Sequence, residues 1–277
     1  MKHQDLKWTA SDGVEIYGQC WLNEAKPKAV ICIVHGMGEH SGRYAHVAKY
    51  LVDAGYSVIA YDHRGHGKSG GKRGHTPSYD LLLDGVSDLL KQAEKIAPGS
   101  KKFIYGHSMG GNVVLNYVLR RKPEIAGVIA SSPWLKLAFE PPKFEVTLGR
   151  FVNNIFPGFT QSTKLDATAI SRDKKEVEKY VNDPLVHDKI SARFFVETYA
   201  AGNWALEHAA EMKLPLLIFH GTEDRLTSPE GSRQFADKVK ENCTFKLWNG
   251  LYHETHNEPE KEDVLKYIAT WLDSSLQ

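Results

Sequence analysis

Residues Gly106-His107-Ser108-Met109-Gly110 set a serine between glycines in the pattern G-x-S-x-G. The short apolar run Lys101-Lys102-Phe103-Ile104-Tyr105 leads in, and the helix-compatible run from Gly111 to Arg120 leads out. The serine therefore sits on a strand-to-helix turn, the context a nucleophile elbow requires. So sharp a turn strains its central residue and crowds the flanking positions, where side chains would clash. It lifts Ser108 clear of a sheet. It also sets the Met109 amide at a helix N-terminus, where a developing negative charge is favoured.

A serine hydroxyl is a poor nucleophile near neutral pH; it needs a base, and the base needs an orienting carboxylate. In this topology the partners follow in the order serine, acid, histidine, at the C-terminal ends of strands. The apolar run Leu216-Leu217-Ile218-Phe219 opens into His220-Gly221-Thr222-Glu223-Asp224-Arg225, where Glu223 and Asp224 compete. Asp224, one residue further into the loop, is the preferred acid. The run Phe245-Lys246-Leu247-Trp248 leads to His253, one of the thirteen histidines, which follows the acid and falls between the final strand and the final helix.

Two N–H donors must hold the oxyanion, and losing one typically costs roughly 3–4 kcal/mol of transition-state stabilisation. The Met109 amide is one. The Met37 amide in His35-Gly36-Met37-Gly38 is the other, with small neighbours that let it turn inward. A metal is the competing use of the histidines. Asp62, His63 and His66 lie in a glycine-rich loop with no helix to present ligands together, and His253 with His256 lacks a third ligand. No metal and no organic cofactor is expected.

These residues need a scaffold. With 42% hydrophobic residues, the 277-residue chain can bury the core of one large domain, or of a core with an insertion. A net charge of +1 gives no pull toward nucleic acid or an acidic membrane face. Met1 to Lys7 has no apolar core of signal-peptide length, and no run approaches a membrane span. Cys20, Cys32 and Cys243 show no CxxC spacing, so a reducing cytoplasm is expected, with attachment to a membrane periphery as its variant.

An opening hairpin turns at Ser11-Asp12-Gly13. Apolar strands at Ala29–Val34, Tyr56–Tyr61 and Ile125–Ser131, besides those already named, alternate with helices near 44–54, 79–96, 228–240 and 260–272. The alternation predicts an α/β fold: a mostly parallel sheet covered on both faces. It breaks between roughly Pro133 and His208, which reads as a cap (133–208) dividing the core into 1–132 and 209–277. Within that segment Phe144, Leu148, Phe151, Val152, Ile155 and Phe159 share one helical face. The face either docks an extra helix on the core or lines a tunnel for an acyl chain.

The chain resembles the monoacylglycerol lipase group of α/β-hydrolases, related to serine aminopeptidase and lysophospholipase-like hydrolases. The likeness is carried by His35 to Tyr44, Gly106 to Gly111, Gly221 to Leu226, and Tyr252-His253-Glu254-Thr255-His256, and by the segment from Ser171 to Val186. The resemblance implies an eight-stranded sheet with a mainly helical cap inserted after the sixth strand. It implies hydrolysis of a lipid ester, a glycerol bearing one fatty acyl chain, with Glu39, Arg43 and His256 bonding the glycerol hydroxyls. A solvated ion pair at a helix start is the alternative use of Glu39 and Arg43. Lysophospholipids, short-chain esters and N-terminal peptide bonds are the competing substrates, a non-catalytic binding or signalling protein the competing class. The cap's apolar stripe suggests contact with membrane or lipid aggregates.

Overall fold

The computed structural model describes residues 1–139 and 143–277. Strands β1 (Lys2–Thr9) and β2 (Glu15–Leu22) form the opening hairpin, paired antiparallel from Lys2–Leu22 to Thr9–Glu15. Next come β3 (Val30–Val34), helix α1 (Ala45–Asp53), β4 (Ser57–Tyr61), α2 (Asp80–Ile96), β5 (Lys102–His107), α3 (Met109–Arg121) and β6 (Gly127–Ser131). A long insertion carries α4 (Lys143–Ile155), β7 (Thr160–Ser162), α5 (Lys174–Asn182), β8 (Lys189–Ser191) and α6 (Ala192–His208). The chain then closes through β9 (Leu216–Gly221), α7 (Pro229–Val239), β10 (Cys243–Trp248) and α8 (Lys261–Ser274).

The main sheet has eight strands in the order β1-β2-β4-β3-β5-β6-β9-β10, and every pairing from β4 to β10 is parallel. Strands β3, β4, β6 and β9 are buried along their whole length, as continuous apolar runs between two helical layers must be. One face packs Val47, Leu51, Val264 and Ile268 of α1 and α8 against Ile31, Phe103 and Leu217. The other packs Leu83, Val113, Phe194 and Phe235 of α2, α3, α6 and α7 against Cys32, Ile104 and Ile218.

Register fixes where the site forms. Val34 pairs with Gly106, His107 with Ser131, and Gly221 with Trp248, so the strands end together along one edge. The loops beginning at His35, Ser108, Ser132, Thr222 and Asn249 are therefore brought to the same end of the sheet.

Strands β6 and β9 pair directly, so everything between them is inserted. Helix α6 packs on α3, where Asn112 and Asn116 donate to the carbonyls of Thr198 (3.2 Å) and Ala201 (3.1 Å). It is the crossover helix of a parallel sheet as well as the end of the insertion. Strands β7 and β8 form a separate antiparallel ribbon. Much of the apolar stripe around α4 is exposed. Phe144 (68%), Phe151 (62%) and Ile155 (51%) are exposed, as are the following Phe156 (68%) and Phe159 (58%). Val152 is half-buried, and the Leu148 side chain lies outside the described residues. The stripe is wider than the seam α4 makes with α6, and its surplus faces outward.

Candidate active site

Ser108 adopts φ 54° and ψ −117° between β5 and α3, a conformation costing a non-glycine residue roughly 1–3 kcal/mol. The flanking glycines are required by contact. A Cβ on Gly106 would lie 2.3 Å from the Gly110 carbonyl oxygen, and one on Gly110 would lie 2.0 Å from that of Val34. The elbow is tied to its neighbours: Ser108 N donates to Ser131 O (2.9 Å), and Trp134 N to Ser108 O (2.9 Å). The His35–Gly38 loop lies against it, since a Cβ on Gly36 would stand 3.2 Å from Ser108 Cβ. Of the two residues expected to supply oxyanion amides, Met109 is the first residue of α3 and Met37 follows Gly36 in the adjoining loop.

The parallel pairing of β9 and β10 brings their following loops together. His253 Nδ1 donates to Asp224 Oδ2 at 2.7 Å, with both side chains buried. Asp224 Oδ1 accepts the amides of Leu226 (2.8 Å) and Thr227 (3.0 Å), which fixes the carboxylate plane. Glu223 is exposed. Burial acts to raise the Asp224 pKa, but His253 and His220 outweigh it and hold the carboxyl well below its usual range. Burial acts to lower His253, yet Asp224, with Glu254 and Glu39 beyond it, leaves the imidazole above its ordinary value. The ring of His107, next to Ser108 in the chain, packs 4.8 Å from that of His253, and Ser132 Oγ donates to the His253 carbonyl (2.8 Å).

Several participants carried no sequence signal. His220, the last inward-facing residue before the β9 loop, is fully buried and donates from Nε2 to Asp224 Oδ2 (2.9 Å), while Nδ1 bonds Ser232 Oγ (2.8 Å). One carboxylate oxygen therefore serves two imidazoles. Glu254 also went unassigned, because a carboxylate next to a histidine in a loop has no spacing rule to mark it.

Glu39, Arg43 and Glu254 form a buried polar cluster beside His253. Arg43 Nη1 donates to Glu39 Oε2 and Glu254 Oε1, and Nη2 to Glu254 Oε2, each at 2.7 Å. Tyr180 of α5 covers the guanidinium, with its ring centre 4.8 Å away. Burial opposes ionisation of Glu39, but Arg43 and the nearby histidines hold its carboxyl at about 2. Glu39 and Arg43 do pair, but inside the molecule and with a third member, not as a solvated pair. His256 is fully buried, stacked on Tyr44 (5.1 Å) and edge-on to His107 (4.8 Å). Among the described residues neither of its ring nitrogens has a hydrogen-bond partner. Burial first, with His107, His46 and Arg43 as lesser causes, pushes its pKa well down, so it is a neutral donor–acceptor.

The Asp62 carboxylate is consumed by Ser41 and by the Lys68 amide. Among the described residues no group of three or more His, Cys, Asp or Glu side chains is arranged to hold a metal ion, and no helix is long and apolar enough to cross a membrane.

The profile of the family described as serine aminopeptidase, S33, matches residues 25–260. The chain is 37% identical over 270 residues to an uncharacterised abhydrolase domain-containing protein of Dictyostelium discoideum, covering 96% of this chain and spanning only 28% of that protein. It is 36% identical over 266 residues to a monoacylglycerol lipase of Mycolicibacterium smegmatis, covering 95% of each. The crystal structure of a monoacylglycerol lipase from Paleococcus ferrophilus superposes with a TM-score of 0.85 at 35% identity, covering 99% of this chain and all of the other.

Proposed function

The chain belongs to the serine aminopeptidase S33 family of hydrolases, and from that premise we propose that it cleaves monoacylglycerols to free fatty acid and glycerol through an acyl-enzyme on Ser108. The observation that carries the chemistry is the 2.7 Å bond between His253 Nδ1 and Asp224, formed beside a strained serine elbow. A histidine held in that tautomer presents Nε2 as the base.

His253 takes the Ser108 proton as the oxygen attacks the ester carbonyl, and Asp224 stabilises the imidazolium. The amides of Met37 and Met109 hold the tetrahedral oxyanion. His253 then protonates the departing glycerol, and water, activated by the same imidazole, releases the fatty acid. Glu39, Arg43 and His256 supply the polar surroundings a glycerol needs, since each buried hydroxyl left unpaired costs roughly 1–3 kcal/mol.

Residues 133–208 act as the cap between core segments 1–132 and 209–277, with α6 shared between cap and core. The exposed aromatic residues of α4 and the turn after it suit contact with the lipid that holds the substrate. Ser108→Ala tests the reading: it should abolish monoolein turnover and covalent labelling by a fluorophosphonate. Retention of either removes the serine from the mechanism.

A further inference from the structure

Building on the monoacylglycerol reading, the leaving-group side of the site has a charge that its single guanidinium does not balance. Arg43 divides its donors between Glu39 and Glu254. The second oxygen of Glu39 receives the Gly36 amide (2.6 Å) and the Tyr44 hydroxyl (2.8 Å), and Glu254 Oε2 also receives Asn257 Nδ2 (2.7 Å). Both acids are nearly free of solvent, at 2% and 3% exposure.

His253, beside Glu254, is paired with Asp224 (2.7 Å) and adds no net positive charge, and the other neighbouring titratable groups do not restore the balance. Burial drives His46, His107 and His256 toward the neutral form, His107 to about 3. Further out, Lys179 (2.9 Å) and Lys261 (3.5 Å) are both drawn to Glu176, and His40 meets Asp183 (2.9 Å). The cluster borders the serine on one side, because the Gly36 Cβ position that touches Ser108 Cβ at 3.2 Å also lies 2.9 Å from Glu39 Oε1. On the other side Arg43 lines an open groove of about 600 Å³ beneath α5. His256 is buried against Tyr44, which bonds Glu39, and both its ring nitrogens are unpartnered among the described residues.

We propose that Glu254, by adding a second carboxylate to the Glu39–Arg43 pair, makes the leaving-group site net negative. The enzyme then hydrolyses acyl esters of neutral or cationic alcohols and rejects those whose alcohol carries a phosphate. An excess charge a few ångströms away in low-dielectric surroundings discriminates by about tenfold or more.

The test compares kcat/KM for hexanoylglycerol, hexanoylcholine and 1-hexanoylglycerol 3-phosphate, each below its micellar concentration. The phosphate ester should be at least about tenfold poorer than the other two, and Glu254→Gln should narrow that gap at least about fivefold. Turnover of the phosphate ester within about threefold of hexanoylglycerol overturns the inference, as does a folded variant with the gap unchanged. If Glu254→Gln does not fold, product inhibition of the wild-type enzyme decides: glycerol 3-phosphate binding as tightly as glycerol overturns the inference, and weaker binding supports it. Failure to hydrolyse hexanoylglycerol at all refutes the monoacylglycerol reading instead, and the charge order is still read from the other two esters.

Discussion

The Nδ1 of His253 lies 2.7 Å from Oδ2 of Asp224, and the two residues stand 29 positions apart on loops that follow adjacent parallel strands. Because the carboxylate holds both the tautomer and the charge of the imidazole, Asp224→Asn should lower kcat by about 10⁴. His253 must be neutral to accept the serine proton, and its pKa is raised above the usual 6.5. The acid limb of kcat/KM therefore falls above that value in the wild type and moves to lower pH in Asp224→Asn. Glu223→Gln, on an exposed side chain, should change kcat by less than about threefold. A pH–rate profile of the three proteins checks both statements.

His220 shares the same carboxylate oxygen, so His220→Leu removes one donor from Asp224 and strands the Ser232 hydroxyl. A buried polar group left unpaired costs roughly 1–3 kcal/mol, and a looser Asp224 should lower kcat more than it raises KM. Thermal unfolding together with initial rates separates the two effects. Equal stability and equal kcat would show that His220 is a spectator.

Gly110→Ala places a carbon 2.0 Å from the Val34 carbonyl oxygen, where only backbone can yield. It should destabilise the fold by about 3 kcal/mol or more and remove activity. Gly149→Ala is the opposite case. It lies in α4 with Val196 Cγ2 no nearer than 3.7 Å, so it should stabilise that helix by about 0.5–1 kcal/mol. Denaturant unfolding curves and circular dichroism compare the two variants.

Phe151 and Phe156, on the segment inserted between β6 and β9, are more than half exposed. Replacing both with serine should raise the apparent KM for monoolein in vesicles at least about tenfold, through the loss of apolar area that lipid would cover. The effect on a butyrate ester dissolved in water should be smaller. Vesicle co-sedimentation alongside kinetics measures it, and equal effects on both substrates would locate these residues at the acyl site rather than at a lipid surface.

The Glu39 carboxyl is held at about 2, below its usual 4.5, so the folded state binds its proton less readily than the unfolded chain. Its contribution to stability is complete above pH 4.5 and is lost as pH falls toward 2. The stability difference between wild type and Glu39→Gln should therefore shrink across that window. Urea unfolding at several pH values reads it directly, and a difference independent of pH would count against the Arg43 pairing as its cause.

The sequence determined the elements whose cause is local. Short continuous apolar runs bounded by turn signals read as strands buried on both faces, and the glycines around Ser108, between such a run and a helical one, read as a turn too tight for Cβ atoms. Asp224 and His253 were candidates before any geometry because each follows a short apolar run downstream of the serine. Tertiary structure decided what depends on neighbours distant in the chain. It gave Asp224 a second imidazole at His220, drew Glu254 onto Arg43 across 211 residues, and turned the surplus of the α4 stripe outward instead of inward. Those outcomes rest on which loops and faces meet in space, and no periodicity or spacing along one polymer encodes such a meeting.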